Sequence, residues 1–306
     1  MKNTPAAAPP TAAPSASPAP RLFGRSRSFE NEQEIPVGPA ARMPDQASDM
    51  LPSVTAVELG DGPKALFVMG PGRSGKTTLL RYVMEHTRPG QPAPIAAALD
   101  PQNRSLASFV NDVAQPDTTD PVGVARWAEE LLGFVMAEKQ SALLDMGGGD
   151  LSMGRLLQDV PDLTASLEEA GVQPVAFYTL SPRVDDLGVL AGYEVQGFQP
   201  RATALILNAG LADPTMPRED AFARVLRHSA FRAAVERGAV PLWMPRLDAG
   251  VAAEIEGKRL RFGQARDGQA PEGQPDAILG PFNRSRVRKW MADMQAALAP
   301  IRSWLP

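Results

Sequence analysis

Eight consecutive residues of this chain have the types and the spacing that grip a phosphate chain. Gly70, Pro71, Gly72, Arg73, Ser74, Gly75, Lys76 and Thr77 read Gly, four residues, Gly-Lys-Thr, and Thr78 and two leucines follow. Glycines at 70, 72 and 75 let the backbone turn with its amides pointing inward, where side chains would obstruct. A nest of N–H groups at the positive end of a helix holds a β-phosphate. Lys76 reaches the β and γ oxygens and stabilises charge on the γ-phosphate, while Thr77 offers a hydroxyl to Mg²⁺. The motif takes its meaning from its surroundings. An apolar run at 65–69 precedes it and a helical pattern follows, giving strand, glycine-rich turn and helix. A glycine turn with a chance lysine accounts less well for all three, so a nucleoside triphosphate is the expected ligand.

Cleaving a triphosphate also needs an acid for the Mg²⁺ shell and a group that orients the attacking water. Asp145 closes a short apolar strand at 141–144, and glycines 147–149 behind it permit a loop that moves when the γ-phosphate is lost. Asp100 closes the run 94–99, just beyond the helix of the phosphate loop, where a second acid would lie near the metal or the water. Each has a bland alternative as an Asp that ends a strand in a turn.

The elements that must position these groups alternate along the chain. Strands are expected at 53–59 (an edge strand), 64–69, 94–99, 141–144, 175–180, 202–207 and 240–244. Helices are expected at 75–86, 121–139, 156–170, 184–191, 219–237 and 249–257, with a last one from 283 to about 304 interrupted by Pro300. The helix at 121–139 carries Val122, Ala125, Trp127, Leu131 and Val135 near one face. Continuous apolar strands alternating with helices imply an α/β, doubly wound, mainly parallel sheet flanked by helices. Ligands then sit beyond the carboxyl ends of the strands. Asp100, Asp145, Asn208 and Pro245 all fall at such ends. Residues 266–281 are a Gly/Pro/Gln-rich loop. Residues 1–52 are rich in Pro, Ala and Ser and read as a disordered tail, leaving 53–306 as the nucleotide-binding domain.

These motifs resemble the ParA/MinD family of partition and positioning ATPases. Asp100-Pro101-Gln102 is similar to that family's segment after its second strand, and Asp145 with its glycines resembles its Walker B strand and second switch. Asn208 resembles the base-reading Asn, and Pro245 with the stretch after it resembles the segment flanking the purine before a short helix. The similarity spans about 64 to 262 in the right order. It implies a P-loop ATPase that uses ATP and Mg²⁺ and dimerises when ATP is bound, with a protein partner that stimulates turnover. Lys76, Asp100 and Asp145 would be catalytic, Thr77 and Asp145 would hold the metal, and Gly70, Gly72, Arg73, Ser74, Gly75, Lys76, Thr77, Thr78, Asn208 and Pro245 would bind the nucleotide. The process implied is plasmid or chromosome partition, conjugative transfer, or positioning of a large assembly. One departure matters: where the family carries a lysine that reaches across the dimer, this chain has Pro71. Arg73 could take over that contact, since guanidinium suits phosphate, with plain solvent exposure as the alternative.

Composition narrows the rest. The chain has 306 residues, 43% hydrophobic, with a formal charge of −4. That balance argues against coating nucleic acid over the whole surface but leaves local patches open. Lys258, Arg259, Arg261 and Arg266 form one cluster, and Arg284, Arg286, Arg288 and Lys289 another, beside Trp290. They are candidates for nonspecific contact with DNA phosphates, against the plainer reading of a solvated charged face. Arg21, Arg25 and Arg27 make a smaller basic group in the tail. With no cysteine, thiol chemistry is excluded, and His86 and His228 lie far apart among helix formers, as partly exposed helix residues rather than metal ligands. The apolar stripe Trp290, Met291, Met294, Leu298, Trp304 is expected to pack on the sheet rather than bind a membrane. No apolar run of about 18 residues is present, and a cytoplasmic protein is expected. Two other activities stay open: a small-molecule phosphotransferase using 258–274 as an Arg-rich lid, and an adaptor that holds ATP without cleaving it.

Overall fold

The computed structural model describes residues 51–87, 92–99, 106, 109, 110, 112–147 and 151–306. Asp100-Pro101-Gln102, Gly148, Gly149 and nearly all of the expected tail lie outside the described residues.

Strand β1 (Lys64–Met69) leads into the phosphate loop and helix α1 (Lys76–Glu85). Strand β2 (Ile95–Ala98) is followed by α2 (Pro121–Glu138) and β3 (Ala142–Asp145). Helices α3 (Ser152–Asp159) and α4 (Leu163–Glu169) precede β4 (Gln173–Leu180), and α5 (Leu187–Val195) precedes β5 (Ala202–Asn208). Then come α6 (Arg218–Ala221), α7 (Ala223–Arg227), α8 (Ser229–Glu236) and β6 (Val240–Met244). Helices α9 (Ala249–Gly257), α10 (Phe262–Asp267) and α11 (Pro281–Leu298) complete the described chain, with a final 3-10 turn at Ala299–Trp304. Local chemistry sets several ends. Asp120 accepts from Gly123 N at 2.9 Å before Pro121 opens α2, and Asp248 accepts from Val251 N at 3.0 Å to start α9.

The six strands are all parallel, in the order β2-β3-β1-β4-β5-β6. The chain leaves β1 towards β2 on one side and later resumes with β4 on the other, so β1 borders the point where the winding reverses. That is where a doubly wound sheet opens a crevice at its carboxyl edge. Successive strand residues face opposite layers. Ala65, Phe67 and Met69 face the core shared with α2–α5, whereas Leu66 and Val68 face that of α1 and α9–α11.

Four expectations are corrected. Residues 53–59 form no strand. Their apolar alternation is used, since Val54, Ala56, Val57 and Leu59 pack on the core, but their partner is the C-terminal turn. Leu59 N donates to Ser303 Oγ at 3.2 Å, and Trp304 Nε1 donates to Val57 O at 2.6 Å. The helix expected at 156–170 is broken between α3 and α4, because Val160 before Pro161 takes φ −130°. The helix expected at 219–237 is three short ones. His228 lies between the last two in extended conformation, and its Nδ1 accepts from Ala230 N at 3.2 Å as a cap, so it is no mid-helix residue. The buried face of α2 is Val124, Ala125, Ala128, Leu132 and Val135, leaving Val122 45% exposed. By contrast Trp290, Met291, Met294, Leu298 and Trp304 are all buried against the sheet. No described helix is long and apolar enough to cross a membrane.

Candidate functional site: the phosphate loop and its neighbours

The loop is braced from three sides. From inside, Lys76 is only 7% exposed, and its Nζ donates to Gly70 O at 2.9 Å and Pro71 O at 3.0 Å. From β4, Thr179 Oγ1 lies 2.6 Å from Ser74 Oγ and 3.1 Å from Met69 O. From β5, Asn208 Nδ2 donates to Ser74 O at 2.9 Å, while Asn208 Oδ1 accepts from Gly210 N at 2.9 Å. The glycines are needed where this bracing is tight. Gly70 has φ +143°, and a β-carbon there would sit 2.4 Å from Thr179 Oγ1; Gly75 has φ +100°, and one there would sit 2.4 Å from Asn208 Nδ2. Gly72 meets nothing within 4 Å and has no such steric need.

Asp145, at the end of the strand beside β1, faces the start of α1. Its Oδ2 accepts from Thr77 Oγ1 at 3.4 Å, and it is 7% exposed. Adjacent ligands on an octahedral Mg²⁺ with bonds near 2.1 Å are separated by about 3.0 Å, so this hydroxyl–carboxylate pair fits that ion with little movement. Among the described residues no group of three His, Cys, Asp or Glu converges to hold a metal alone. Thr77 and Asp145 would supply part of an octahedral shell, with waters or phosphate oxygens as the usual remaining ligands of Mg²⁺. Asp100, the other expected acid, lies outside the described residues.

On the far side of the loop a cavity of about 210 Å³ opens between β5, β6 and α9. Arg73, Gly75 and Thr78 form its loop side, and Asn208, Met244 and Pro245 line the strand side. Pro245 O is fixed by Trp290 Nε1 at 3.0 Å. The structure thus brings together, around one loop, the residues expected at the ends of three strands: Asp145, Asn208 and Pro245.

Sequence reasoning missed four contributors. Thr179 was detectable as a lone hydroxyl in an apolar strand. Phe262 and Trp290 enter the cavity wall with ring centroids 4.7 Å apart; the apolar stripe marked Trp290 for packing only, and Phe262 had no spacing signal. Arg81, one turn past Thr77, is 4% exposed, lies 3.6 Å from the Phe109 centroid and donates to Leu260 O at 2.9 Å. Burial lowers its guanidinium pKa to about 10, against a partly offsetting pull from Glu85 and Glu256.

Four residues of the basic clusters, Lys258, Arg266, Arg286 and Lys289, have partners within the fold. Lys258 contacts Glu254 at 2.6 Å, Arg266 pairs with Asp267 at 2.7 Å, and Lys289 pairs with Asp293 at 2.7 Å. Arg286 donates to Asn283 at 2.6 Å.

No protein-family model matches this chain, and no curated protein matches it. Solved structures do. Cell division protein FtsY of Thermotoga maritima aligns over 64% of this chain and 66% of its own, at 12% identity and TM-score 0.40. Chloroplast FtsY of Physcomitrella patens aligns over 65% and 63%, at 13% identity and TM-score 0.39. The signal recognition particle receptor FtsY of Elizabethkingia anophelis aligns over 78% and 67%, at 11% identity and TM-score 0.37. The aligned part thus spans just under two thirds of the first two proteins. None of the three is a ParA/MinD ATPase, and likenesses at this level assign no activity.

Proposed function

We propose that this chain is a nucleoside triphosphatase that acts as a molecular switch, binding ATP with Mg²⁺ in the 70–77 loop. The observation that supports it most is the meeting of Thr77 Oγ1 and Asp145 Oδ2, 3.4 Å apart, at the mouth of a loop that already holds Lys76 in place. Bound Mg²⁺ would draw charge from the phosphates. The loop amides and Lys76 hold the β and γ oxygens, and Asp145 and Thr77 orient the metal end of the ligand. Asp100, following β2, is assigned to the attacking water. Choice of ATP, dimerisation on binding it, and a role in DNA partition, conjugative transfer or positioning of a large assembly rest on the ParA/MinD resemblance. So does DNA contact through Lys258, Arg259, Arg261, Arg284, Arg286, Arg288 and Lys289, and so does a stimulating protein partner.

The test is turnover. Lys76→Ala should abolish phosphate release while the circular dichroism spectrum stays that of the wild type. Unchanged turnover would remove the loop from the mechanism. A second reading, an adaptor that holds ATP uncleaved, is favoured by Pro71, which supplies no charge where the family has lysine. Tight ATP binding without measurable phosphate release would select it. A phosphotransferase lid at 258–274 is less well supported. Leu260, Phe262 and Ala265 are buried, and Glu85 accepts from Phe262 N and Gly263 N at 2.8 Å, which ties that stretch down.

A further inference from the structure

Arg73 is the largest side chain in the phosphate loop, and it stands in a backbone conformation that disfavours one. Its φ is +64°, the left-handed region that a β-carbon disfavours and glycine enters freely. Its side chain is exposed and borders the cavity formed by Asn208, Gly210, Leu211, Met244 and Pro245. Lys76 turns the other way, onto Gly70 O and Pro71 O, and Thr77 turns to Asp145. The loop therefore divides its chemistry. Lys76 and Thr77 hold their contacts away from the cavity, and the Arg73 guanidinium borders it, in a wall that also carries Arg81 and Glu256 beside its apolar residues. A flat, delocalised cation beside the Leu211, Met244 and Pro245 part of that wall is suited to the face of an aromatic heterocycle, which it attracts through the ring's π-electrons.

Resting on the nucleotide reading, we infer that Arg73 contacts the base end of the ligand bound in its own subunit, instead of reaching a second copy's phosphates. It is then a residue that sets affinity for the nucleoside, and Pro71 leaves the cross-dimer charge unreplaced.

The test compares two ligands that share phosphates but not a base, namely ATP and inorganic tripolyphosphate, the second measured by displacing a fluorescent ATP analogue. Arg73→Ala should weaken ATP by about three- to thirty-fold, the range expected for a partly desolvated cation–π contact, and leave tripolyphosphate unchanged. Arg73→Gly, which relieves the backbone, should lose the same affinity while melting no lower than the wild type. At ATP low enough to leave Arg73→Ala mostly unloaded, mixing it with Lys76→Ala should raise turnover no further than Arg73→Ala alone, because the arginine of one copy does not reach the ligand of the other. Equal losses for both ligands, no loss for ATP, or turnover raised on mixing would overturn the inference and leave the nucleotide reading standing. Wild-type protein that binds neither ligand would remove that reading and this one together.

Discussion

The side-chain amide of Asn208 donates to the carbonyl of Ser74 across 2.9 Å, joining the end of β5 to the middle of the phosphate loop. Its oxygen is held at the same time by Gly210 N. The residue that resemblance marks as a reader of the base is thus first a brace of the loop. Asn208→Ala should leave the buried Ser74 carbonyl without that donor, costing about 1–3 kcal/mol in urea unfolding. It should also weaken ATP and GTP by the same factor. A loss confined to one of them would show base reading instead.

Gly75 is where that brace leaves no room. Alanine there would combine a left-handed φ of +100° with a β-carbon 2.4 Å from Asn208 Nδ2. Gly75→Ala should therefore cost about 2 kcal/mol or more and abolish nucleotide binding. Gly72→Ala, with nothing within 4 Å, should do neither, and parallel melting and binding curves for the two variants check the contrast.

Thr179 holds the loop from β4 through contacts of 2.6 Å to Ser74 Oγ and 3.1 Å to Met69 O. Thr179→Val keeps the shape and removes the hydroxyl, leaving two buried polar atoms short of a partner. The expected cost is about 1–3 kcal/mol. Thr179→Ser should recover most of it, and chemical denaturation of the pair measures both.

How much of this was legible in the sequence follows from what each signal depends on. The loop, β1, α1, β6 and α9 were readable because glycine geometry, strand hydrophobicity and an Asp cap act within a few residues. The positions of Asp145, Asn208 and Pro245 at strand ends were readable for the same reason. Their convergence was not, since it depends on strand order across the sheet. The 53–59 segment shows the limit: its alternation reports burial, but burial against Ser303 and Trp304 looks the same as burial in a ladder. His228 shows another, because a histidine inside a helical pattern gives no sign that its ring caps the next helix. Arg81 and Trp290 required knowing that α10 and α11 return to cover α1.

Tyr82 gives a pH dependence. Burial pushes its phenol from 10.0 up to about 12, and its hydroxyl donates to Met291 O at 3.3 Å. The folded state keeps the proton more tightly than the unfolded chain. This contribution is therefore complete below pH 10 and is lost as pH rises from there to about 12, at about 1.4 kcal/mol per unit of separation. Urea midpoints at pH 8 and pH 11 should differ less in Tyr82→Phe than in the wild type; an equal drop in both would place the alkaline loss elsewhere.

The central claim is that the 70–77 loop and Asp145 together bind a magnesium nucleotide, and titration calorimetry of ATP tests it most directly. Wild-type protein should show one site whose affinity falls when Mg²⁺ is chelated. Lys76→Ala should show no site. Asp145→Asn should bind with an affinity that no longer responds to Mg²⁺. Equal binding by wild type and Lys76→Ala, or no binding by a folded wild type, would contradict the account.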